Sequence, residues 1–529
     1  MRKETAVKDY DYVIVGGGSA GCVLAARLSE DPAARVLLLE AGPAQPPEAS
    51  GVPAAWPGLI GTGAEWGSVT TQQAEAGALP YPRGRGLGGS GQINAMAHVR
   101  GHRRLYDAWA AAGAVGWGFD GLLPYFRRSE NAGDGRDPVL RGTNGPVRVA
   151  PVPAAGRHPV ARAFAEALGS AGFPATGDLS GRAQEGVAWP DLAISGGRRA
   201  SPAGAYLGPA LARPNLTVMT GCLVTRLTIR DRWCTGAEYV RDGKPERARA
   251  SAEVIVCAGA IGSPQLLMLS GIGPAGRLRS LGIDLIADLP GVGENLQDHP
   301  TAMACYASAA PLPASGYNHG ETYAALRSPL AGDWPDLHLF PILLPPGRED
   351  GQDPKGSFAL VASAVAPGSR GTVRLASADP EAAPLINPGF LAEHADLDRL
   401  EAGLGIIRRA AGGAAMARLG ISETWPGPGV RDSVGLRDWI WRTVGSYWHP
   451  AGTCRIGTGE DAVTDPRLRV YGIAGLRVAD ASVMPAIPNA PLHATVLAIA
   501  EKAAALITGA PEPHQLSNPR PPRENRKTA

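Results

Sequence analysis

Two histidines stand in sequence settings where a proton-accepting side chain would be useful. His449 lies in SYWHPAGTCRIG, between a tryptophan and a proline, and His493 lies in NAPLHATVLAIAE, at the start of an apolar helical pattern. A neutral imidazole accepts a proton near pH 7, so either ring could act as a base. Each could equally be a buried ring bonded to backbone. The chain has only ten histidines, which favours a joint explanation for this pair.

The start of the chain predicts a βαβ unit that binds a dinucleotide. Residues 11–42 run as a buried strand, a helix and a second parallel strand. Glycines at 16, 18 and 21 form GxGxxG, which allows a tight turn, close approach of backbone to a pyrophosphate and close helix–strand packing. Ser19 and Ala20 begin the helix, whose N–H groups would face the phosphates.

Glu40 ends the second strand, where its carboxylate can accept hydrogen bonds from ribose hydroxyls. The same carboxylate would repel a 2′-phosphate, which argues against NADP. The pattern alone leaves NAD and FAD open.

Composition excludes several classes of function. The chain has 529 residues and a net charge of +2, so no bulk charge favours nucleic acid or an acidic membrane. No apolar run of about 18 residues is present, so no membrane insertion is expected. The first strand follows the start too closely for a signal peptide, and the six scattered cysteines favour reduced thiols, so we expect a cytoplasmic location.

Four further stretches are similar to the motifs of the glucose–methanol–choline (GMC) oxidoreductase family. They are GRGLGGSGQINAMAHVRGHRRLYDAW (84–109), GAIGSPQLLMLSGIG (259–273), LPGVGENLQDHP (289–300) and GLRVADASVMP (475–485). They occur in the family's order and cover nearly the whole chain. The resemblance implies FAD as the cofactor, and an alcohol as the substrate, with oxygen or another electron acceptor completing the cycle.

The resemblance, carried over position by position, implies the residues that contact FAD. Thr495 is added because the helix that begins near His493 would direct its N-terminus at the flavin. The expected cofactor-binding residues are Gly16, Gly18, Ser19, Ala20, Gly21, Glu40, Ala41, Gly88, Gly89, Ser90, Asn94, Ala97, Val224, Ala258, Asp480, Ala481 and Thr495.

One departure from the family bears on how FAD is held. Some members attach FAD covalently through a histidine directly before the asparagine of the first motif. Ile93 stands at that position, which predicts noncovalent FAD. His98 and His102 are four residues apart, but Gly101 interrupts them and no third ligand is evident, so no metal is predicted.

The expected fold is α/β, with a Rossmann-type FAD-binding domain and an inserted α+β substrate domain built on an antiparallel sheet. The FAD-binding domain is predicted to be discontinuous and to include a flap region at 41–83. Its segments are 8–150, 200–300 and 455–510. The substrate-binding domain takes 151–199 and 301–454, and 511–529 is predicted to be a disordered tail.

The resemblance also assigns roles to the opening pair of histidines. His449 and His493 fall on the two family positions that serve alcohol oxidation. The restricted backbone of the Trp–His–Pro stretch favours His449 as the main base, and His493, beside a helix start, is expected to orient the hydroxyl. Tyr447 and Trp448 could form a wall of the substrate pocket, or could be core residues. The alternative function is a hydroxynitrile lyase-like flavoprotein, in which FAD is structural. The sequence leaves the alcohol, the electron acceptor and the oligomeric state open.

Overall fold

The computed structural model describes residues 9–345 and 356–510. The predicted tail, 511–529, and the first residue of the predicted FAD-binding domain lie outside the described residues. The helices are Ser19–Leu28, Ser90–Ile93, Arg103–Ala111, Phe119–Ser129, Pro159–Ser170, Gly208–Ala210, Gly259–Leu269, Ala275–Ser280, His394–Ala411, Ala414–Ala417, Ser433–Thr443 and His493–Thr508.

The first large sheet is parallel in one part and antiparallel in the other. From one edge, its strands are Leu216–Met219, Val36–Leu39, Asp9–Val15, Lys244–Val256, Trp233–Arg241 and Cys222–Arg230. The pairs are parallel as far as Lys244–Val256, and the last two pairs are antiparallel. The strand Leu476–Val478, near the end of the described chain, pairs in parallel with residues 254–256.

The predicted βαβ unit forms the centre of this sheet. Asp9–Val15 and Val36–Leu39 pair in parallel, and the helix Ser19–Leu28 connects them. All four residues of Val36–Leu39 are buried, as expected for a continuous apolar run in a parallel sheet.

The second large sheet is antiparallel. From one edge, its strands are Ile421–Trp425, Pro300–Ser308, Ser357–Ala364, Leu337–Ile342, Tyr323–Leu326 and Gly186–Ala188, and the short strand Gly445–Ser446 also pairs with Pro300–Ser308. Two antiparallel pairs of shorter strands, Val69–Gln73 with Gly77–Pro80 and Thr372–Arg374 with Leu385–Asn387, form a smaller sheet.

Side chains alternate between the two faces of the second sheet, and the two faces have different neighbours. Leu339 and Leu360 pack on the helices Pro159–Ser170 and His394–Ala411. Their neighbours Phe340 and Val361 point to the opposite face, because successive side chains of a strand alternate. That opposite face borders the cavity described below.

The predicted mixed α/β fold, with a Rossmann-type sheet and a second antiparallel sheet, is confirmed. The domain boundaries stay predictions. Within residues 9–345 and 356–510, no helix combines the length and apolar character needed to cross a membrane.

Candidate active site

A cavity of about 1080 Å³ extends from the glycine turns of the first sheet to the helix-free face of the second. It lies at the upper end of the size range of ligand sites. All of the predicted site residues line it except Gly21, Gly88 and Thr495. Those that line it are Gly16, Gly18, Ser19, Ala20, Glu40, Ala41, Gly89, Ser90, Asn94, Ala97, Val224, Ala258, Tyr447, Trp448, His449, Asp480, Ala481 and His493.

Two glycine turns meet at one end of the cavity. Gly16 has φ +102°, and a Cβ there would lie 2.6 Å from the Cys257 carbonyl oxygen. A Cβ on Gly89 would lie 2.7 Å from the Cα of Gly18, so neither turn tolerates a side chain. The helix that starts at Ser19 has no side-chain cap, which leaves its first N–H groups available to an anion.

Glu40 ties three loops together at this end. Its Oε2 accepts the N–H of Gly17 at 2.7 Å. Its Oε1 accepts the N–H of Gly42 at 2.8 Å and that of Gly86 at 2.9 Å. The carboxylate therefore organises the turns as well as lining the cavity, a task that the sequence did not predict.

Asp480 performs a similar task beside the helix Gly259–Leu269. It accepts hydrogen bonds from the Gly259 N–H at 2.9 Å and from the Ser263 hydroxyl at 2.6 Å. Ser482 bonds to its other oxygen. Burial raises the pKa of Asp480, whereas these hydrogen bonds act in the opposite direction. The loop that carries Ala481 is thereby fixed at the cavity wall.

Three predicted cofactor residues do not reach the cavity. A Cβ on Gly21 would lie 1.9 Å from the Gly16 carbonyl oxygen, so this glycine allows the helix to pack on the turn. Gly88 donates its N–H to the Gly17 carbonyl at 2.8 Å. The Thr495 hydroxyl lies 2.8 Å from that of Tyr106, and the Thr495 side chain is fully buried. These residues support the surrounding backbone.

The loop that presents His449 is held in a strained conformation. Trp448 has φ +61°, which is uncommon for a bulky residue. Its N–H donates to the Ser446 hydroxyl at 2.7 Å, and its carbonyl accepts from the Arg83 guanidinium at 2.6 Å. The His449 N–H donates to Asp298 at 2.8 Å. These bonds fix the direction of the His449 side chain.

His299 is a neighbour of His449 that the sequence did not assign to the site. The two Nδ1 atoms lie 3.0 Å apart and the ring planes are nearly perpendicular, at 88°. His299 stands in the quoted segment 289–300, and like His449 it precedes a proline. His158 also precedes a proline, so this pattern does not single out the pair, and only the fold shows that the two rings meet.

His493 is the first residue of the helix His493–Thr508. Neither of its ring nitrogens has a hydrogen-bond partner within the described chain, so both are free to meet a ligand. Its ring lies edge-on to His98 at 6.3 Å, and His98 in turn lies 3.3 Å from the Glu130 carboxylate. His98 is therefore a buried structural residue behind His493.

His449 and His493 are both held in the neutral form. Removal from bulk water lowers the pKa of His449 to about 3, and Arg83 and His338 act in the same direction. The same cause lowers the pKa of His493 to about 3, helped by His98 and Arg199. Each ring can therefore accept or donate a hydrogen bond near neutral pH.

Three side chains of the second sheet and the His449 loop form what we call the aromatic wall: Tyr323, Phe340 and Tyr447. Tyr447 and Phe340 stack at 4.8 Å and 17°, and the Tyr447 hydroxyl donates to that of Tyr323 at 2.9 Å. The rings of Tyr447 and His449 lie 4.3 Å apart. All three side chains line the cavity, so a molecule that reaches His449 from this side meets aromatic side chains.

Two family models, both described as GMC oxidoreductase, match residues 10–301 and 367–500. The chain is 38% identical to the mitochondrial choline dehydrogenase of Homo sapiens, over 95% of this chain and 90% of the relative. It is 37% identical to the oxygen-dependent choline dehydrogenase of Chromohalobacter salexigens, over 95% of each.

The same fold occurs in solved oxidases. The crystal structure of pyridoxine 4-oxidase from Mesorbium loti superposes with a TM-score of 0.90 and 37% identity, covering 95% of this chain and 100% of the other. A formate oxidase superposes with a TM-score of 0.88 and 28% identity, covering 96% and 99%. Two related structures of the Aspergillus oryzae formate oxidase concern modification of its FAD.

Glu40→Gln should weaken cofactor binding even though the side chain keeps its size. An amide has one acceptor oxygen, and its NH₂ group would face a backbone N–H. Because one N–H bond to a carboxylate contributes about 1.5–3 kcal/mol, we expect binding of FAD to weaken by about tenfold or more. Titration of the apoprotein with FAD measures this. Glu48→Gln, at an exposed position, is the control, and equal affinity of both variants would contradict the role of Glu40.

Proposed function

The chain belongs to the GMC oxidoreductase family, and from that premise we propose how its site acts and on which class of alcohol. Members of the family bind FAD, and the chain is an FAD-dependent oxidoreductase acting on CH–OH donors. None of the relatives and solved structures named above is a lyase.

The glycine turns, the uncapped helix and Glu40 fit the ADP half of FAD, and they would hold it by backbone contacts. Asn94, Ala97, Asp480 and Ala481 would lie along the rest of the cofactor. Bound there, FAD would supply the acceptor for a hydride from the alcohol carbon.

His449 takes the hydroxyl proton in this proposal. As the C–H bond gives up its hydride, the O–H bond gives its proton to His449, and the alcohol becomes a carbonyl compound. The observation that carries the proposal is the placement of His449, neutral and held by Asp298, at the wall of the cavity that contains the glycine turns. His493, whose two ring nitrogens have no hydrogen-bond partner among the described residues, orients the same hydroxyl.

We propose that the alcohol is uncharged and carries its hydroxymethyl group on a flat ring. The aromatic wall lines the cavity beside His449 and offers apolar aromatic contacts to such a substrate. The acidic residues that line the cavity are elsewhere: Glu40 and Asp480 are bonded to backbone, and Glu381 is exposed. Pyridoxine, after which the solved pyridoxine 4-oxidase is named, is a compound of this kind.

A quaternary ammonium alcohol is the second candidate. Two relatives are choline dehydrogenases, and aromatic faces also attract such cations. The proposal further includes oxygen or another acceptor for the electrons. The proposed cytoplasmic location rests on the scattered cysteines of the sequence.

A matched set of alcohols tests the function and its substrate class. We expect pyridoxine or a substituted benzyl alcohol to bleach the bound flavin under anaerobic conditions. 3,3-Dimethylbutan-1-ol has the shape of choline without its charge, and it should react faster than choline. Faster reduction by choline would support the second candidate. No reduction by any alcohol would contradict the proposed function itself.

The two histidines should differ in their contributions to catalysis. Asparagine can orient a hydroxyl but cannot accept its proton, so His493→Asn should retain substantial flavin reduction. His449→Asn should lose on the order of 10²-fold or more with FAD still bound. Anaerobic stopped-flow measures both rates, and His394→Asn, at an exposed helix start, is the control. Greater damage in His493→Asn would reverse the roles.

FAD should be bound noncovalently. Ile93, at the position where some family members carry the linking histidine, lines the cavity and has no group that can form the bond. Acid precipitation should leave a colourless pellet and a yellow supernatant. Flavin that remains with the pellet would show that another residue forms a covalent link.

A further inference from the structure

We infer that His299 is a positioning residue for the alcohol oxidation: its Nδ1 accepts the Nδ1–H of His449, which leaves Nε2 of His449 as the proton acceptor. The observation behind it is the 3.0 Å contact between the two Nδ1 atoms. The inference rests on the proposed function, because it concerns the base assigned there.

A contact between two ring nitrogens needs one donor and one acceptor. Burial lowers the pKa of His299 well below its usual value, so both rings are neutral and each carries a single N–H. Two arrangements are then possible. If His449 donates, its Nε2 has a free lone pair. If His299 donates, the His449 proton sits on Nε2, and that nitrogen cannot act as a base.

The surroundings of His299 favour the first arrangement. The Pro488 carbonyl raises the pKa of His299 against the larger effect of burial, although Nε2 of His299, the edge away from His449, has no hydrogen-bond partner among the described residues. A proton held on that side leaves the Nδ1 of His299 as an acceptor. The Nδ1 edge of His449 faces His299, which does not line the cavity, so the opposite edge is left for the alcohol.

The backbone holds the two rings in register. Oδ1 of Asp298 accepts the N–H of His299 at 2.7 Å and the N–H of His449 at 2.8 Å. A single carboxylate oxygen therefore sets the distance between the two histidines. Each is followed by a proline, Pro300 or Pro450, which restricts the backbone of the histidine before it.

The contact between His299 and His449 also stabilises the site after the proton has been transferred. When Nε2 of His449 has taken the hydroxyl proton, the ring is an imidazolium that still donates its Nδ1–H to His299. A hydrogen bond from a charged donor is stronger than one from a neutral donor, so the neutral acceptor stabilises the charge that forms. The hydride would pass to the bound cofactor and the proton stays on His449, so the carbonyl product is released without either.

Two variants of the FAD-loaded enzyme separate positioning from packing. His299→Leu fills the space without an acceptor, and it should slow flavin reduction on the order of 10²-fold or more. His299→Asn restores a polar acceptor near the Nδ1 position and should recover at least a tenth of the wild-type rate. His158→Leu is the matched control, because this buried histidine also precedes a proline but does not line the cavity. FAD content and melting temperature are measured for all three.

A spectroscopic measurement tests the inference without turnover. In ¹⁵N-histidine NMR of the FAD-loaded protein, the His449 signals should report a proton on Nδ1 and a bare Nε2. The signals are assigned through their loss in His449→Asn. His299→Leu should move the proton to Nε2 or give a mixture of tautomers.

A His449 proton found on Nε2 in the wild-type protein would overturn the inference, as would equal losses in His299→Leu and His299→Asn with FAD retained. Neither result would touch the proposed function, which fails only if no alcohol reduces the flavin.

Discussion

The hydrogen bonds accepted by one buried carboxylate set the geometry on which the cofactor end of this protein depends. Glu40 takes the N–H groups of Gly17, Gly42 and Gly86, which belong to separate loops. Backbone donors that point at one anion must converge, so the loops close around it. The cavity is then walled by main chain, which can approach a ligand more closely than side chains can.

Asp298 is a second buried carboxylate that organises backbone, at the end of the cavity where His449 lies. It bonds to the backbone of both His299 and His449, and also to the hydroxyls of Tyr81 and Ser446. Burial raises the pKa of Asp298, while these hydrogen bonds and the nearby Arg83 favour its charged form. The chemistry proposed for the histidines therefore depends on a carboxylate that does not line the cavity.

Much of the fold and of the candidate site could be predicted from sequence, because local patterns carry that information. The glycine turn, Glu40 and the continuous apolar strand lie within about thirty residues of each other, so the local sequence is enough to recognise them. The positions of His449 and His493 came from motifs. The organising contacts could not be predicted in this way. His299 and His449 are 150 residues apart, and nothing in either segment states that their rings meet. Likewise, Thr495 lies between His493 and Val496, which line the cavity, but its hydroxyl pairs with that of Tyr106, an outcome that only packing decides.

The pairing of Leu476–Val478 with residues 254–256 has a consequence for how the molecule is made. This strand is the last addition to the first sheet, and the loop with Asp480 and Ala481 follows it directly. A ribosome must therefore release almost the entire chain before that sheet is complete. Until then the edge of Lys244–Val256 is open for part of its length, where a chaperone or another chain could pair with it. Contacts between such distant segments form slowly. A fragment made of the first three hundred residues would therefore leave this edge unpaired.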